Sequence, residues 1–176
     1  MDILIPTKES NGLKILTFKE AQTKKKDCAK YDESNWIYIP NFYSEYRYIL
    51  GTVGEKPLIT IGINPSTAEP EKLDNTLRSV NRVALNNGFD SFIMFNVYAQ
   101  RATRTDDMDK VFNQQLHVEN MKAFRWLLEQ SGNEYQARWC VTGRLSKKGH
   151  PHHPLYLGRD SVLRGFDMED YLLESI

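Results

Sequence analysis

The stretch Leu58-Ile59-Thr60-Ile61-Gly62-Ile63-Asn64-Pro65-Ser66-Thr67 decides how the chain is read. Its first half is an apolar, β-branched run, the composition of a strand entering a core. It then breaks into Gly, Asn and Pro, which end a strand and turn the backbone. In α/β sheets ligands bind outside the C-terminal ends of the strands, so polar groups at such a break stand where a site forms. Asn64 cannot ionise, but its amide both donates and accepts hydrogen bonds. That suits orienting a water or a heterocycle better than cradling phosphate, and no glycine-rich phosphate loop follows. Taken alone, these residues also fit a plain strand ending in an Asn-Pro turn.

Working outward, Leu77, Val80, Val83 and Ala84 recur at three- and four-residue spacing, which predicts a helix over 75–87. Asp74 is its expected N-cap and Gly88 lies past its end. Phe92-Ile93-Met94-Phe95 is a second buried strand that again ends in asparagine, Asn96. A strand, a helix of about 12 residues and a strand make a parallel βαβ unit. Upstream, Trp36 to Ile39, stopping at Pro40, and Tyr46 to Leu50 read as short strands, with Gly51 and Gly54 marking a turn. Leu13 to Phe18 reads as an early strand, and Lys24 to Lys26 as an exposed turn or helix face. Residues 101–109 read as loop. The strongest helical pattern runs over 113–130, with Leu116, Met121, Phe124, Leu127 and Leu128 on one side. Ala137 to Thr142 is a third strand, placing Cys140 in the core. Residues 143–158 form a loop, and Asp167 caps a short final helix through Leu173.

The expectation is one α/β domain over 1–176, with 1–45 as an N-terminal extension. It has a central, mainly parallel sheet, helices on both faces in three layers, and an added N-terminal β element.

Lys+Arg and Asp+Glu each count 23, so the formal net charge is zero. A general DNA binder carries a basic excess, so composition speaks against one. A local patch survives that argument: Arg138 to Arg164 contains six Lys/Arg, three His and a single acid, Asp160. Two cysteines with no CxxC pair exclude a disulfide framework and a Cys-rich metal site. The N-terminus has neither the basic segment nor the apolar stretch of a signal peptide. No apolar run approaches the roughly 20 residues that span a bilayer. A soluble cytoplasmic protein is expected, without cofactor and without membrane attachment.

Because the strands of a βαβ unit end on the same sheet edge, Asn64 and Asn96 are expected to face one pocket. Asp74, Thr76 and Arg78 open the intervening helix near that edge, and Arg101 and Thr103 follow Asn96 closely. Each of these also has a plain structural reading, Asp74 as a cap and Arg78 as the partner of a surface acid. His150-Pro151-His152-His153-Pro154 places three histidines in four residues. The prolines impose extended geometry and no Cys or carboxylate sits at ligand spacing, so no metal site is expected. A His held between prolines instead aims an imidazole at a ligand, or the segment is simply a stiff surface loop. Ser66 lacks the G-x-S-x-G setting of a serine hydrolase.

Taken jointly, five segments resemble a bacterial and phage family of unknown function, the one numbered sixteen forty-three. They are Arg47 to Leu50, Ile61 to Ala68, Asp74 to Arg78, Phe95 to Thr103 and Lys148 to Leu157. More distantly, the order of motifs resembles the uracil-DNA glycosylase superfamily. There a first strand ends in a motif that Gly62-Ile63-Asn64-Pro65 matches, a later strand ends in Asn as Phe95-Asn96 does, and a His-Pro loop follows, matched loosely by His150 to Leu155. That resemblance implies a glycosylase-like fold and an N-glycosylase type of hydrolysis. Asn64 would position the attacking water, Asn96 would read an extruded base, and His150 or His153 would hydrogen-bond the departing base. Pro65, Ser66, Thr67, Asp74, Thr76, Arg78, Tyr98, Arg101 and Pro154 would line the substrate. The implied partners are a nucleobase, a nucleotide or single-stranded nucleic acid. A non-catalytic module that binds nucleotides, nucleic acid or a protein is the alternative. Both families carry a Trp-Gly strand and helix after the long helix. Here that segment is missing near 131–136.

Overall fold

In the computed structural model the described residues are 13–24, 31–130, 138–147, 149, 158, 160–167 and 170. The chain forms α1 (Phe18–Thr23), β1 (Trp36–Ile39), β2 (Ile49–Thr52), β3 (Pro57–Gly62), α2 (Asn75–Asn86), β4 (Ser91–Asn96), α3 (Gln114–Gln130), β5 (Cys140–Thr142) and β6 (Leu163–Gly165). A four-stranded mixed sheet has the order β1-β2-β4-β3, and β5 and β6 make a separate antiparallel pair.

The expected βαβ unit is present. β3 and β4 run parallel, with Gly62 opposite Asn96 at their C-terminal ends. The expectation of a mainly parallel sheet is corrected, because β1 pairs antiparallel with β2 and β2 antiparallel with β4. Only nine residues, 40–48, separate β1 from β2. A parallel crossover needs a dozen or more, whereas an antiparallel pair closes over a short connection.

β4 is buried along its whole length and its side chains alternate between faces. Phe92 and Met94 pack with Leu77, Val80 and Ala84 of α2. Ile93 and Phe95 pack on the other face with Phe18 and Ala21 of α1 and Leu116, Ala123 and Leu127 of α3. Helices therefore lie against both faces of the sheet. No helix among the described residues is long and apolar enough to cross a membrane.

Several local expectations change. Leu13 to Phe18 is an extended lead-in to α1 rather than a strand. It is held by the Leu16 N–H donating to the Tyr46 hydroxyl (2.8 Å) and the Tyr48 hydroxyl donating to the Leu16 carbonyl (2.7 Å). The Phe18 N–H donates to the buried carboxylate of Glu119 on α3 at 2.8 Å. The inner face of α3 is Leu116, Asn120, Ala123 and Leu127, while Met121 and Leu128 are exposed. The spacing of those inner residues keeps them on one line down the helix, and the larger apolar pair falls off it. Gly51 lies within β2, not in a turn. Cys140 is exposed, because Val141 takes the inward position of β5. The expected missing segment at 131–136 lies outside the described residues.

Asp74 caps α2 as expected, its carboxylate accepting the Leu77 N–H at 2.9 Å. Asp74→Ala is expected to cost about 1 kcal/mol, read as a lowered urea midpoint with an unchanged m-value.

Candidate functional site

Beyond their last paired residues, β3 and β4 stay joined. The Val97, Tyr98 and Ala102 N–H groups donate to the carbonyls of Gly62 (2.9 Å), Ile63 (3.0 Å) and Pro65 (2.9 Å). Asn64 sits half-buried inside this seam, and its Nδ2 donates to the Pro65 carbonyl at 3.1 Å and the Ala102 carbonyl at 2.8 Å. The amide nitrogen is thus used to latch one strand exit to the other. Its Oδ1 is left as an acceptor at the same edge.

Asn96 differs. It is fully buried, and among the described residues neither Oδ1 nor Nδ2 has a hydrogen-bond partner. Space for its side chain comes from Gly62 across the ladder: a Cβ there would lie 2.8 Å from Asn96 Oδ1. The Asn96 backbone carbonyl is satisfied by Asn120 Nδ2 of α3 at 2.9 Å. Leaving a buried carboxamide unpaired costs about 1–3 kcal/mol, so Asn96 is a liability for folding alone.

The same edge carries two arginines. Arg101 leaves the β4 exit, and Arg47 lies in the link between β1 and β2, 2% exposed. Both meet the loop after Asn64. Arg101 Nη1 donates to the Ser66 carbonyl. It also donates to the Ala68 carbonyl at 3.1 Å, and Arg47 Nη1 donates to that same oxygen at 3.2 Å. Arg101 Nη2 donates to the Tyr38 hydroxyl at 2.9 Å, and the exposed Tyr43 ring stacks on its guanidinium at 4.4 Å. Among the described residues neither arginine makes an ion pair.

Two like charges that donate to one oxygen repel each other. Burial, then the Arg101 charge, pushes Arg47 down to about 9, against the opposing pull of Tyr38 and Asp74. It remains a cation at neutral pH. Burial raises the Tyr38 phenol, and the two arginines partly counter it.

The remaining expected residues divide. Pro65 is fully buried and Ser66 half-buried at the edge, whereas Thr67 and Thr103 are exposed. Thr76 is half-buried in the first turn of α2. Arg78 turns away from the asparagines and lines an open groove of about 310 Å³ with Trp36, Thr52, Glu71 and Asn81. Its place follows from the helix, which presents positions 78 and 81 to the β1–β2 side. Tyr98 belongs to the α3 side, where its hydroxyl accepts the Asn113 N–H at 3.0 Å and its ring stacks on Phe112. His150, His153 and Pro154 lie outside the described residues. Among the described residues no group of three or more His, Cys, Asp or Glu is placed to hold a metal.

Neither Arg47 nor Tyr38 is expected at this edge from the sequence. The available signal for Arg47 was a cation inside the otherwise apolar run Tyr46-Arg47-Tyr48-Ile49-Leu50.

Fold and edge together define an α/β protein with a mixed sheet, whose parallel βαβ unit brings amide and guanidinium groups to one edge. The family model described as "Protein of unknown function (DUF1643)" matches residues 47–140. That is more than half of the chain, and the chain belongs to this family. The match begins at Arg47 and includes Asn64, Asn96 and Arg101. No curated protein and no solved structure matches the chain.

Proposed function

We propose that the C-terminal edge of β3 and β4 binds a nucleobase-bearing ligand, and that the protein is a glycosylase-like hydrolase of the nucleobase–sugar bond. One observation carries this reading: the Asn96 carboxamide is kept unpaired beside a glycine that makes room for it. One donor and one acceptor side by side complement the amide-like edge of a base, as asparagine does in base readout. Both atoms are shielded, so the ligand reaches them when the edge opens locally. Enzymes that act on bases extrude them into such pockets.

In this reading Asn64 Oδ1 accepts a hydrogen bond from a water and directs its lone pair at the anomeric carbon. The new carbon–oxygen bond forms as the carbon–nitrogen bond breaks, the bonding pair leaves with the base, and the proton lost by the water passes through solvent to the departed base. His150 or His153 donates a hydrogen bond to the base as it gains negative charge. The three-layer, glycosylase-like arrangement belongs to the same proposal, supported by helices on both faces and the motif order along the chain.

A non-catalytic binding module is the second reading. The engagement of Asn64 Nδ2 with two carbonyls favours it, since a latch is useful without chemistry.

Thermal unfolding with free bases, nucleosides and single-stranded DNA tests binding: a ligand at 100 times its Kd adds about 2.7 kcal/mol of stability. Base release is then measured on the ligand class that responds. Asn64→Ala is expected to abolish release and to cost folding only about 1 kcal/mol through the lost latch. Release that survives Asn64→Ala rules out the catalytic role of Asn64. Binding with no release in the wild type leaves the module reading, and the absence of any response removes the nucleobase-binding reading and leaves only a module for a protein partner.

A further inference from the structure

The two arginines at this edge outnumber what the fold asks of them. Their four hydrogen bonds all go to neutral oxygens: Ser66 and Ala68 carbonyls and the Tyr38 hydroxyl. Clamping those carbonyls requires donors, which a single guanidinium or a neutral amide supplies. It does not require two cations on one oxygen.

Among the described residues only Nη1 of Arg47 is bonded, and the buried Nε has no partner. The Nε–Nη2 side of a guanidinium is a planar fork that matches two oxygens of a phosphate or carboxylate. Here that side belongs to a side chain 2% exposed. Arg101 Nε is also buried and without a partner. The Tyr43 ring covers the face of the Arg101 guanidinium and leaves its in-plane edge for hydrogen bonding.

We infer that Arg47 and Arg101 together form an oxyanion site, and that its ligand is a phosphate monoester. Charge selects among oxyanions. A carboxylate or a phosphodiester brings one negative charge and leaves one of the two cations unmatched. A terminal phosphate brings about −1.5 to −2 at neutral pH, which offsets both arginines. The Ser66 and Ala68 carbonyls that anchor the pair belong to the loop that begins at Asn64. The site therefore adjoins the amide edge, and it deepens the reading above by making the ligand a nucleoside monophosphate or a terminal phosphate end.

The test is calorimetric titration of the full chain at fixed ionic strength with inorganic phosphate, a nucleoside monophosphate, the matching nucleoside, a dinucleoside phosphodiester and acetate. Phosphate and the monophosphate are expected to bind, while the phosphodiester and acetate do not. Arg101→Gln, shown to be folded by circular dichroism, is expected to bind phosphate about tenfold or more weakly. Arg47→Gln is expected to do the same. If either variant fails to fold, the wild-type arginine Nε–H resonances decide, since two of them should shift together on addition of phosphate.

No phosphate binding by the wild type, or unchanged binding in a folded variant, overturns the inference. So does a phosphate titration that leaves the Nε–H resonances unmoved. The nucleoside separates this inference from the reading it rests on. Nucleoside binding without phosphate binding removes the oxyanion site alone. Phosphate binding that the nucleobase does not strengthen keeps the oxyanion site and removes the base pocket.

Discussion

Gly51→Ala is expected to destabilise the fold by about 3 kcal/mol or more, enough to blur or abolish cooperative unfolding in a domain of ordinary marginal stability. Gly51 lies mid-strand, opposite Ile37 on β1 and Ile93 on β4. A methyl group there would press into the Phe92 carbonyl oxygen and come within 2.9 Å of Ile93 Cα. Both are backbone atoms of a fully buried strand, so neither can rotate away. The Phe92 N–H is also held by Thr52 Oγ1 at 3.2 Å, which ties β4 to β2 where it would have to yield. Urea unfolding followed by circular dichroism measures the loss. Val53→Ala, two residues on at an exposed position, serves as control and should stay within about 0.5 kcal/mol of wild type. A Gly51→Ala protein as stable as that control would show that β2 and β4 do not approach this closely.

Asn96→Leu is expected to work in the opposite direction. Leucine has nearly the shape of asparagine, and it replaces two unpaired buried polar atoms with apolar ones. Removing that penalty should stabilise the fold by about 1–3 kcal/mol. The same change should erase any stabilisation by a nucleobase. A protein made more stable by losing a side chain, and deaf to ligand as a result, is the pattern expected where function holds a costly group in place. If Asn96→Leu is instead destabilising, the carboxamide has partners in solution, a bound water for example, and its role is structural.

The βαβ unit was legible in the sequence because each of its parts repeats a local signal. Leu77, Val80 and Ala84 on α2 follow the helix period, Leu58 to Ile61 and Phe92 to Phe95 are short apolar or β-branched runs, and Asp74 marks the helix start. The direction of β1 and β2 was not legible. Trp36 to Ile39 and Ile49 to Thr52 are short apolar runs, and a period of two says which face is buried without saying which way the neighbour runs. The place of Gly51 was not legible either, because glycine within a strand and glycine in a turn look alike until the neighbouring backbone is placed. On α3, the exposed Met121 and Leu128 outweighed Asn120 and Ala123 in any count of hydrophobicity, although the latter line up with Leu116 and Leu127.

The candidate site shows the same division. Asn64, Asn96 and Arg101 stood at strand ends and were legible as an edge cluster. Arg78 begins the helix that connects those strands, yet its side chain follows the helix surface toward Trp36. Arg47 escaped notice because it reaches the edge from a different part of the sheet, through the antiparallel pairing that the sequence did not reveal. The Arg47 N–H donates to the Ala99 carbonyl at 2.9 Å, and that tertiary bond carries its guanidinium to the loop after Asn64.

The extended lead-in and α1 have a practical consequence for producing this protein. A fragment cut at the matched boundaries, 47–140, would discard Tyr46, β1, α1 and β6. It would strand Glu119 without the Phe18 amide and uncover Ile49, Ile93 and Phe95 where Phe18 and Ala21 now pack. Such a fragment should go to inclusion bodies or bind hydrophobic dyes, and a soluble product should begin no later than Leu13. The segment that the family model matches is smaller than the packed unit that the described residues form.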